Sequence, residues 1–280
     1  AERHDQAPAL VSDAMRVARL CGGGHVVVSQ VLDAAERLAR GGVDSPPRHH
    51  AEIPWRQDLA HPDADLARLE ARLAALDASR RVSFCLEGPA GTGKSAWARH
   101  LAAIIGMPVI EKRASDLLSK WVGGSEQNIA RAFSEARAVN AMLVLDEADS
   151  LLADRRGAER SWEVSQVNEM LTWMESHPLP FVCTTNFAEK LDRATQRRFT
   201  FRIRFDFLSA DQLPLAWTAH FPCPPPPGLS ALERLAPGDF SNVARRMRAL
   251  GEADPREILR ELTREAASKL GAGRPMGFGR

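Results

Sequence analysis

The sequence is short of the features that mark membrane, secreted and nucleic-acid-binding proteins. No apolar run approaches the roughly 18 residues that are needed to cross a membrane, and no charged-then-apolar segment of the secretory type opens the chain. The 37 basic and 36 acidic side chains leave a net charge of +1, so no overall field attracts nucleic acid or anionic lipid. We therefore expect a cytoplasmic protein with no membrane span and no nucleic-acid partner.

Cysteine is also scarce, with four residues at Cys21, Cys85, Cys183 and Cys223. Their spacing matches no metal-binding motif, and two of them lie in apolar, strand-like runs. This usage fits a reducing compartment better than a disulfide framework. The zinc-peptidase motif His-Glu-x-x-His is absent as well, so the sequence contains no metalloprotease of that type.

One short segment carries most of the chemical information. Residues 88–95 fit the pattern G-x-x-x-x-G-K-[ST] in full, between an apolar run and a helix-like stretch, which is the context of a phosphate-binding loop. We expect Lys94 to reach the β- and γ-phosphates of ATP or ADP and the Ser95 hydroxyl to bind Mg²⁺. The residues expected to hold the nucleotide here are Gly88, Pro89, Ala90, Gly91, Thr92, Gly93, Lys94 and Ser95.

The chain divides into three parts by pattern. Residues 1–53 contain two helix-like stretches and a proline-rich linker, either an element that packs on the main domain or the remnant of an upstream domain. The start at Ala1 rather than Met suggests a processed form or a fragment. Residues 54–208 alternate strands and helices, which predicts an α/β domain with a parallel sheet, and residues 209–280 read as a small helical lid and tail.

The spacing of apolar residues sets the expected elements of these two parts. The five predicted strands cover residues 82–86, 109–114, 141–145, 181–185 and 199–207. The helices predicted after the sheet cover residues 211–220, 229–235, 240–251 and 255–270.

Polar residues follow two of the apolar strands. Asp146 and Glu147 end the third strand, whose carboxyl end lies beside the phosphate loop in such a sheet. We expect Asp146 to hold Mg²⁺ and Glu147 to polarise the attacking water, although an acid pair that caps a helix has the same pattern. Asn186 ends the fourth strand, where it is either a second group that holds this water or a solvent-facing turn residue.

Arg197 and Arg198 precede the fifth strand. Adjacent arginines alone favour surface charge. Their place before an outer strand also suits arginine fingers, which stabilise transition-state charge on the γ-phosphate of a neighbouring subunit.

Four motifs together resemble a known family. GPAGTGKS, LVLDEAD, FVCTTN and LDRATQRRF occur in this order, and the chain from about Pro54 to Leu270 resembles an AAA-clade module of the AAA+ ATPases, the group that includes katanin- and spastin-type enzymes. The resemblance implies a five-stranded sheet, a helical lid and homo-hexameric rings with nucleotide between subunits.

The same resemblance assigns a loop that contacts substrate. Residues 119–126 resemble the family's first pore loop, in which Trp121 and Val122 would grip an extended polypeptide by apolar contact and stacking. Without the resemblance, a tryptophan packed in the core is the favoured interpretation. The residues of the predicted pore loop are Lys120, Trp121, Val122 and Gly123.

Further assignments follow from the resemblance. Arg155 and Arg156 lie where the family has a second pore loop, and a solvated charge run is the alternative. Gly238 lies at a helix start that adjoins the adenine or ribose in the family. Arg245 and Arg246 follow it and are left without a role, as surface residues.

The sequence therefore predicts an ATP-hydrolysing motor that remodels, unfolds or translocates protein or peptide substrates through a hexameric ring. Two alternatives stay open: an ATP-dependent assembly switch or nucleic-acid loader, in which ring closure does the work, and an ATP-binding protein that forms no ring. The sequence does not identify the substrate.

Overall fold

The computed structural model describes residues 55–75, 81–119, 121, 123–152, 161–187, 191 and 193–271. The chain separates into two compact units, Ala1–Ile53 and Pro54–Arg280, and all of the described residues belong to the second. The predictions made for residues 1–53 lie outside the described residues.

A five-stranded sheet occupies the centre of this unit. Its strands are β1 (Ser83–Glu87), β2 (Val109–Arg113), β3 (Met142–Asp146), β4 (Phe181–Thr185) and β5 (Phe201–Arg204). All neighbouring strands are parallel, in the order β2-β3-β4-β1-β5. The three central strands are almost entirely buried, whereas the two edge strands are partly exposed, as expected for a parallel sheet with apolar central strands. The predicted five-stranded parallel sheet is confirmed.

The last strand is shorter than the predicted range of residues 199–207. Its ladder with β1 ends where β1 turns into the phosphate loop, with the Phe205 N–H donating to the carbonyl of Glu87 at 2.8 Å. Phe205 then forms an isolated antiparallel bridge with Pro62. Phe205, which would have continued the predicted strand, therefore pairs with Pro62, a residue distant in sequence.

Helices cover both faces of the sheet. They are α1 (Leu66–Ala74), α2 (Lys94–Ile104), α3 (Ala114–Leu117), α4 (Gly124–Ala138), α5 (Ser161–Ser176) and α6 (Arg193–Gln196). Phe84 and Leu86 of β1 join a core cluster with Trp97 of α2, whereas Cys85, between them, joins a cluster with Phe133 of α4 and Met170 of α5. Alternate residues of a strand thus supply two cores, one on each face.

The chain after the sheet is helical, with α7 (Gln212–His220), α8 (Pro237–Leu250) and α9 (Pro255–Gly271) around their own apolar cluster. Helix α8 begins earlier than predicted, because Pro237 suits a first helical turn and the Asp239 carboxylate accepts the Ala236 N–H at 2.6 Å.

The predicted helix over residues 229–235 is wrong. A single 3₁₀ turn at Leu229–Ala231 is present instead. Arg234 has a left-handed backbone with φ = 59°, and the Leu235 carbonyl accepts the Leu208 N–H at 2.8 Å. This pairing keeps the segment extended in spite of its helical spacing.

A short segment before α1 joins the sheet to the C-terminal helices. Leu59 packs in the helical cluster, and the next residue, Ala60, packs in a sheet cluster. The side-chain amide of Gln212, the first residue of α7, donates to the carbonyls of Asp58 at 3.1 Å and Ala60 at 2.8 Å. In the part of the chain that the structure describes, no helix has both the length and the apolar character of a membrane span.

Candidate nucleotide-binding and catalytic site

The phosphate loop, residues 88–95, leaves the carboxyl end of β1 and leads into α2. Gly88 has φ = 130°, and a Cβ atom there would lie 1.9 Å from the carbonyl oxygen of Phe205, so only glycine fits. The Thr92 hydroxyl donates to the carbonyl of Pro89 at 2.8 Å and holds the loop in a closed turn. Because the first N–H groups of a helix have no partner within it, the start of α2 suits a phosphate.

Lys94 lies folded over this loop. Its Nζ donates to the carbonyls of Gly88 at 2.6 Å and Pro89 at 2.8 Å, and to Oδ1 of Asn186 at 2.8 Å. Burial lowers the pKa of Lys94 to about 8, and the negative charge of Asp146 opposes this shift. The structure thus brings Lys94 and Asn186 together, although more than 90 residues separate them in the sequence.

Ser95 and Asp146 are also brought together. The Ser95 hydroxyl donates to Oδ1 of Asp146 at 3.0 Å, and the Thr184 hydroxyl donates to the same oxygen at 2.5 Å. A hydroxyl and a carboxylate at the carboxyl edge of the sheet are the oxygen ligands that Mg²⁺ takes beside phosphate. The oxygen atoms of Ser95 and Asp146 therefore fit the chemistry of a Mg²⁺ site.

Glu147 follows Asp146 and has an exposed side chain. Its backbone is left-handed, with φ = 56°, a conformation that costs a non-glycine residue about 1–3 kcal/mol and is concentrated at functional sites. Its N–H donates to Oγ1 of Thr184 at 3.2 Å. One threonine hydroxyl therefore contacts both acidic residues and holds Glu147 in this turn.

Gly238 reaches the phosphate loop from the C-terminal helices. Its N–H donates to the carbonyl of Gly91 at 2.9 Å, and a Cβ atom on Gly238 would lie 2.9 Å from the Gly91 Cα. Two glycines therefore allow the start of α8 to lie directly against the loop.

The arginine pair lies away from the loop of its own chain. Arg197 and Arg198 are exposed residues between α6 and β5, before the amino end of that edge strand. The Nε of Arg198 donates to the Glu175 carboxylate at 2.5 Å. The structure thus brings together Lys94, Asn186 and the residues around Asp146, but it does not bring the arginines to this site.

The predicted pore loop presents its aromatic residue to solvent. Trp121 is 82% exposed, so the interpretation as a core residue is wrong. The backbone beneath it is held, since the Ser119 hydroxyl accepts the Trp121 N–H at 3.1 Å and the Trp121 carbonyl accepts the Gly124 N–H at 3.0 Å. Gly123 between them has φ = 79°.

Four residues with predicted roles lie outside the described residues, namely Lys120, Val122, Arg155 and Arg156. Of the two unassigned arginines, Arg245 is exposed. Arg246 pairs with Glu261 and Glu265 of α9.

Sequence reasoning missed Thr184, Thr185 and Asp149. The Thr185 hydroxyl donates to the Asp149 carboxylate, as that of Thr184 does to Asp146. A signal was present, because two hydroxyl residues end a strand that is otherwise apolar, and a third acid follows Glu147.

Comparisons with known proteins bear on this site. Residues 84–207 match the family model described as "ATPase family associated with various cellular activities (AAA)". A spastin of Drosophila erecta is 32% identical over 199 residues, which cover 65% of this chain and 26% of that protein. Vacuolar protein sorting-associated protein 4 of Dictyostelium discoideum is 35% identical over 124 residues, 42% of this chain and 28% of that protein.

An uncharacterised AAA family ATPase of Sinorhizobium fredii is 32% identical over 140 residues, which cover 49% of this chain and 42% of that protein. The chain thus spans less than half the length of each of these relatives. The matched region holds the phosphate loop, both acids and the asparagine of the site. Residues 84–207 are thus similar in sequence to the AAA family of ATPases.

Proposed function

We propose that this chain is an ATP-hydrolysing motor that remodels protein or peptide substrates as a ring of identical copies, a hexamer as the resemblance of its motifs implies. One relative is named for vacuolar protein sorting, which supports proteins as the substrate class of this chain too. In this proposal residues 54–208 form the ATPase domain and residues 209–280 a lid that closes on nucleotide. Residues 1–53 precede the ATPase domain.

Nucleotide binding follows from the contacts of the phosphate loop. The N–H groups at the start of α2 receive the phosphates, and Lys94 exchanges the carbonyls of Gly88 and Pro89 for β- and γ-phosphate oxygens. Ser95 and Asp146 would hold Mg²⁺, which would supply positive charge to neutralise the phosphates. Gly238 lets the lid approach the bound nucleotide.

Hydrolysis follows from the position of Glu147. Its carboxylate orients a water molecule and accepts its proton, while the water oxygen bonds to the γ-phosphorus and the bond to the bridging oxygen of ADP breaks. Asn186 holds the same water by hydrogen bonding. Arg197 and Arg198 act on the γ-phosphate of a neighbouring copy. They lie at the amino ends of the strands, whereas the phosphate loop of the same copy lies at the carboxyl ends.

The single observation that carries the remodelling function is the exposure of Trp121. The chain buries large aromatic residues such as Trp97 and Trp217 completely, so an indole that is 82% exposed supports a role in contact with substrate. In the ring, the loop with Lys120, Trp121, Val122 and Gly123 would line a central channel. Apolar contact and stacking bind a polypeptide without demanding a particular sequence.

We propose that the protein acts in the cytoplasm. Cys85 and Cys183 are neighbours across β1 and β4, and both are free thiols buried in the core. Burial raises the pKa of each thiol well above its usual range, which suits residues that stay reduced and unreactive.

Three substitutions test the division of labour. Lys94→Ala is expected to abolish ATP binding, and Glu147→Gln is expected to bind ATP without hydrolysing it. Trp121→Ala is expected to hydrolyse ATP but to lose ATP-dependent processing of fluorescein-labelled unfolded casein. Trp121→Phe is the matched control, since it retains an aromatic ring and is expected to retain processing.

Two results would contradict the proposal. Full casein processing by Trp121→Ala would contradict threading through the pore loop, although ATP hydrolysis would still stand. A salt-dependent affinity for DNA or RNA would favour the alternative of a nucleic-acid loader.

A further inference from the structure

Asp149 has no role in the site described above, yet it contacts the strand that carries Asn186. It lies in the 3₁₀ turn Ala148–Ser150 that follows β3. Its Oδ1 accepts a hydrogen bond from the hydroxyl of Thr185, the last residue of β4. Thr185 is 2% exposed, so water does not compete for this hydroxyl.

The same hydroxyl makes a second contact. Its oxygen accepts the N–H of Phe187 at 3.0 Å, which closes a turn around Asn186. A threonine hydroxyl has one proton. Because the Thr185 hydroxyl donates this proton in its hydrogen bond to Asp149, a lone pair of its oxygen is directed to the Phe187 N–H. Asp149 thereby fixes the orientation of the turn.

The turn sets the position of Asn186. Its Oδ1 accepts the hydrogen bond from Lys94 at 2.8 Å. Asp149 is also close enough for its negative charge to oppose the lowering of the Lys94 pKa. Hydrogen bonds therefore connect Asp149 to the Thr185 hydroxyl and this hydroxyl to the Phe187 N–H. The covalent backbone connects Phe187 to Asn186, whose side chain bonds to Lys94.

The preceding residue makes the arrangement specific. The Thr184 hydroxyl donates to Asp146 and accepts from the Glu147 N–H, so it contacts the two acids of the site. The Thr185 hydroxyl contacts neither acid in the described structure and bonds to Asp149 instead. Two consecutive hydroxyls thus hold two different parts of the site.

We infer that Asp149 is a positioning residue for ATP hydrolysis, which acts through the Thr185 hydroxyl to fix the carboxamide of Asn186 towards Lys94 and the attacking water. This inference rests on the proposed function. Asp149 itself touches neither nucleotide nor water in this account. Loss of its contact with Thr185 therefore lowers kcat and leaves ATP affinity in place.

The test uses variants that change this hydroxyl. Thr185→Val removes it at nearly constant volume and is expected to lower kcat roughly tenfold to a hundredfold, with the Kd for ATP within about twofold of the parent. Thr185→Ser keeps the hydroxyl and is expected to restore most of kcat. Thr172→Val is the matched control, because the Thr172 hydroxyl bonds to the Asn168 carbonyl on the exposed side of α5.

A double-mutant cycle separates positioning from a general effect on the fold. In the Asn186→Ala background, Thr185→Val and Asp149→Ala are each expected to lower kcat no further, because the group that they position is gone. Thermal unfolding checks that each variant folds. If Thr185→Val is poorly folded, the kcat values of Asp149→Asn and Asp149→Ala give the same comparison. Asparagine keeps an acceptor oxygen for the Thr185 hydroxyl, whereas alanine does not.

The outcomes are distinguishable. A loss in Thr185→Val that persists undiminished in the Asn186→Ala background overturns the inference and leaves the proposed function intact. The same holds if Asn186→Ala lowers kcat and Thr185→Val does not. If Asn186→Ala itself leaves kcat unchanged, the role of Asn186 in the proposed function fails, and the inference fails with it.

Discussion

The Ser83 hydroxyl donates a hydrogen bond to the backbone carbonyl of Arg198 at 3.3 Å. Ser83 is the first residue of β1, whereas the phosphate loop begins at Gly88, after the last residue of the same strand. Five residues of a parallel strand span roughly 16 Å, which is farther than an arginine side chain reaches. The arginine pair and the phosphate loop of one copy therefore lie at opposite ends of the sheet.

This separation predicts complementation between two inactive variants. Arg198→Ala is expected to bind ATP normally and to lose about 10³-fold in kcat, because an arginine at the γ-phosphate contributes at least this much in related phosphoryl transfers. Mixed with Lys94→Ala, it is expected to regain activity, since each variant supplies the group that the other lacks. Steady-state ATPase rates over a series of mixing ratios measure this effect.

A surface arginine provides the control for Arg198. Arg246→Ala removes an exposed guanidinium that pairs with Glu261 and Glu265, and it is expected to leave the rate unchanged. Mixtures of Arg198→Ala and Lys94→Ala that form rings by sedimentation yet stay inactive at every ratio would contradict action between copies.

The contact between Gly91 and Gly238 predicts a second effect, on nucleotide affinity. A methyl group at residue 238 would lie 2.9 Å from the Gly91 Cα, so Gly238→Ala must move the start of α8 away from the loop. We expect the Kd for ATP to rise roughly tenfold, which corresponds to a loss of about 1.4 kcal/mol in the free energy of binding. Titration with a fluorescent ATP analogue measures this change.

The matched control lies on the same helix. Asn242 is exposed, and Asn242→Ala is expected to leave the Kd for ATP within about twofold of the parent, because surface substitutions rarely change stability by more than about 0.5 kcal/mol. An unchanged affinity in Gly238→Ala would show that ATP binding does not depend on this contact.

The central strands were predictable because burial on both faces demands a continuous apolar run. Residues 141–145 have that composition and supply β3, and residues 181–183 have it before the two threonines that end β4. The errors arose where a distant partner decided the conformation. Strand β5 ends where Phe205 pairs with Pro62, and the Leu235 segment is extended where its carbonyl bonds to the Leu208 N–H. Neither contact can be recognised from the local sequence.

For the site, the motifs indicated Lys94, Ser95 and Asp146, because parallel strands bring their carboxyl ends to one edge of the sheet. The same rule could not identify Thr184 as the partner of Asp146, since such a bond depends on how β3 and β4 are aligned. Alignment of parallel strands is set by packing of the whole sheet and is not readable from one strand.

His177 predicts how stability depends on pH. It follows α5, is 2% exposed, and packs against the rings of Phe133 at 5.0 Å and Phe181 at 6.2 Å between centroids. Among the described residues, none forms a hydrogen bond with its buried Nε2. Burial, and to a lesser extent the charge of Arg137, lowers the pKa of His177 from 6.5 to about 4.

The sign follows from proton binding in the two states. Between pH 6.5 and 4 the unfolded chain binds a proton at His177 that the native protein does not, so the free energy of unfolding falls as the pH falls through this range. The full loss from this residue is about 3 kcal/mol. Urea unfolding at pH 6.5, 5.5 and 4.5 covers about 2 kcal/mol of this loss, with His177→Phe as the variant that cannot titrate. We expect the free energy of unfolding of the parent to fall more steeply with falling pH than that of His177→Phe. Parallel curves of this free energy against pH would mean that His177 binds its proton in the native protein at a pKa near that of the unfolded chain.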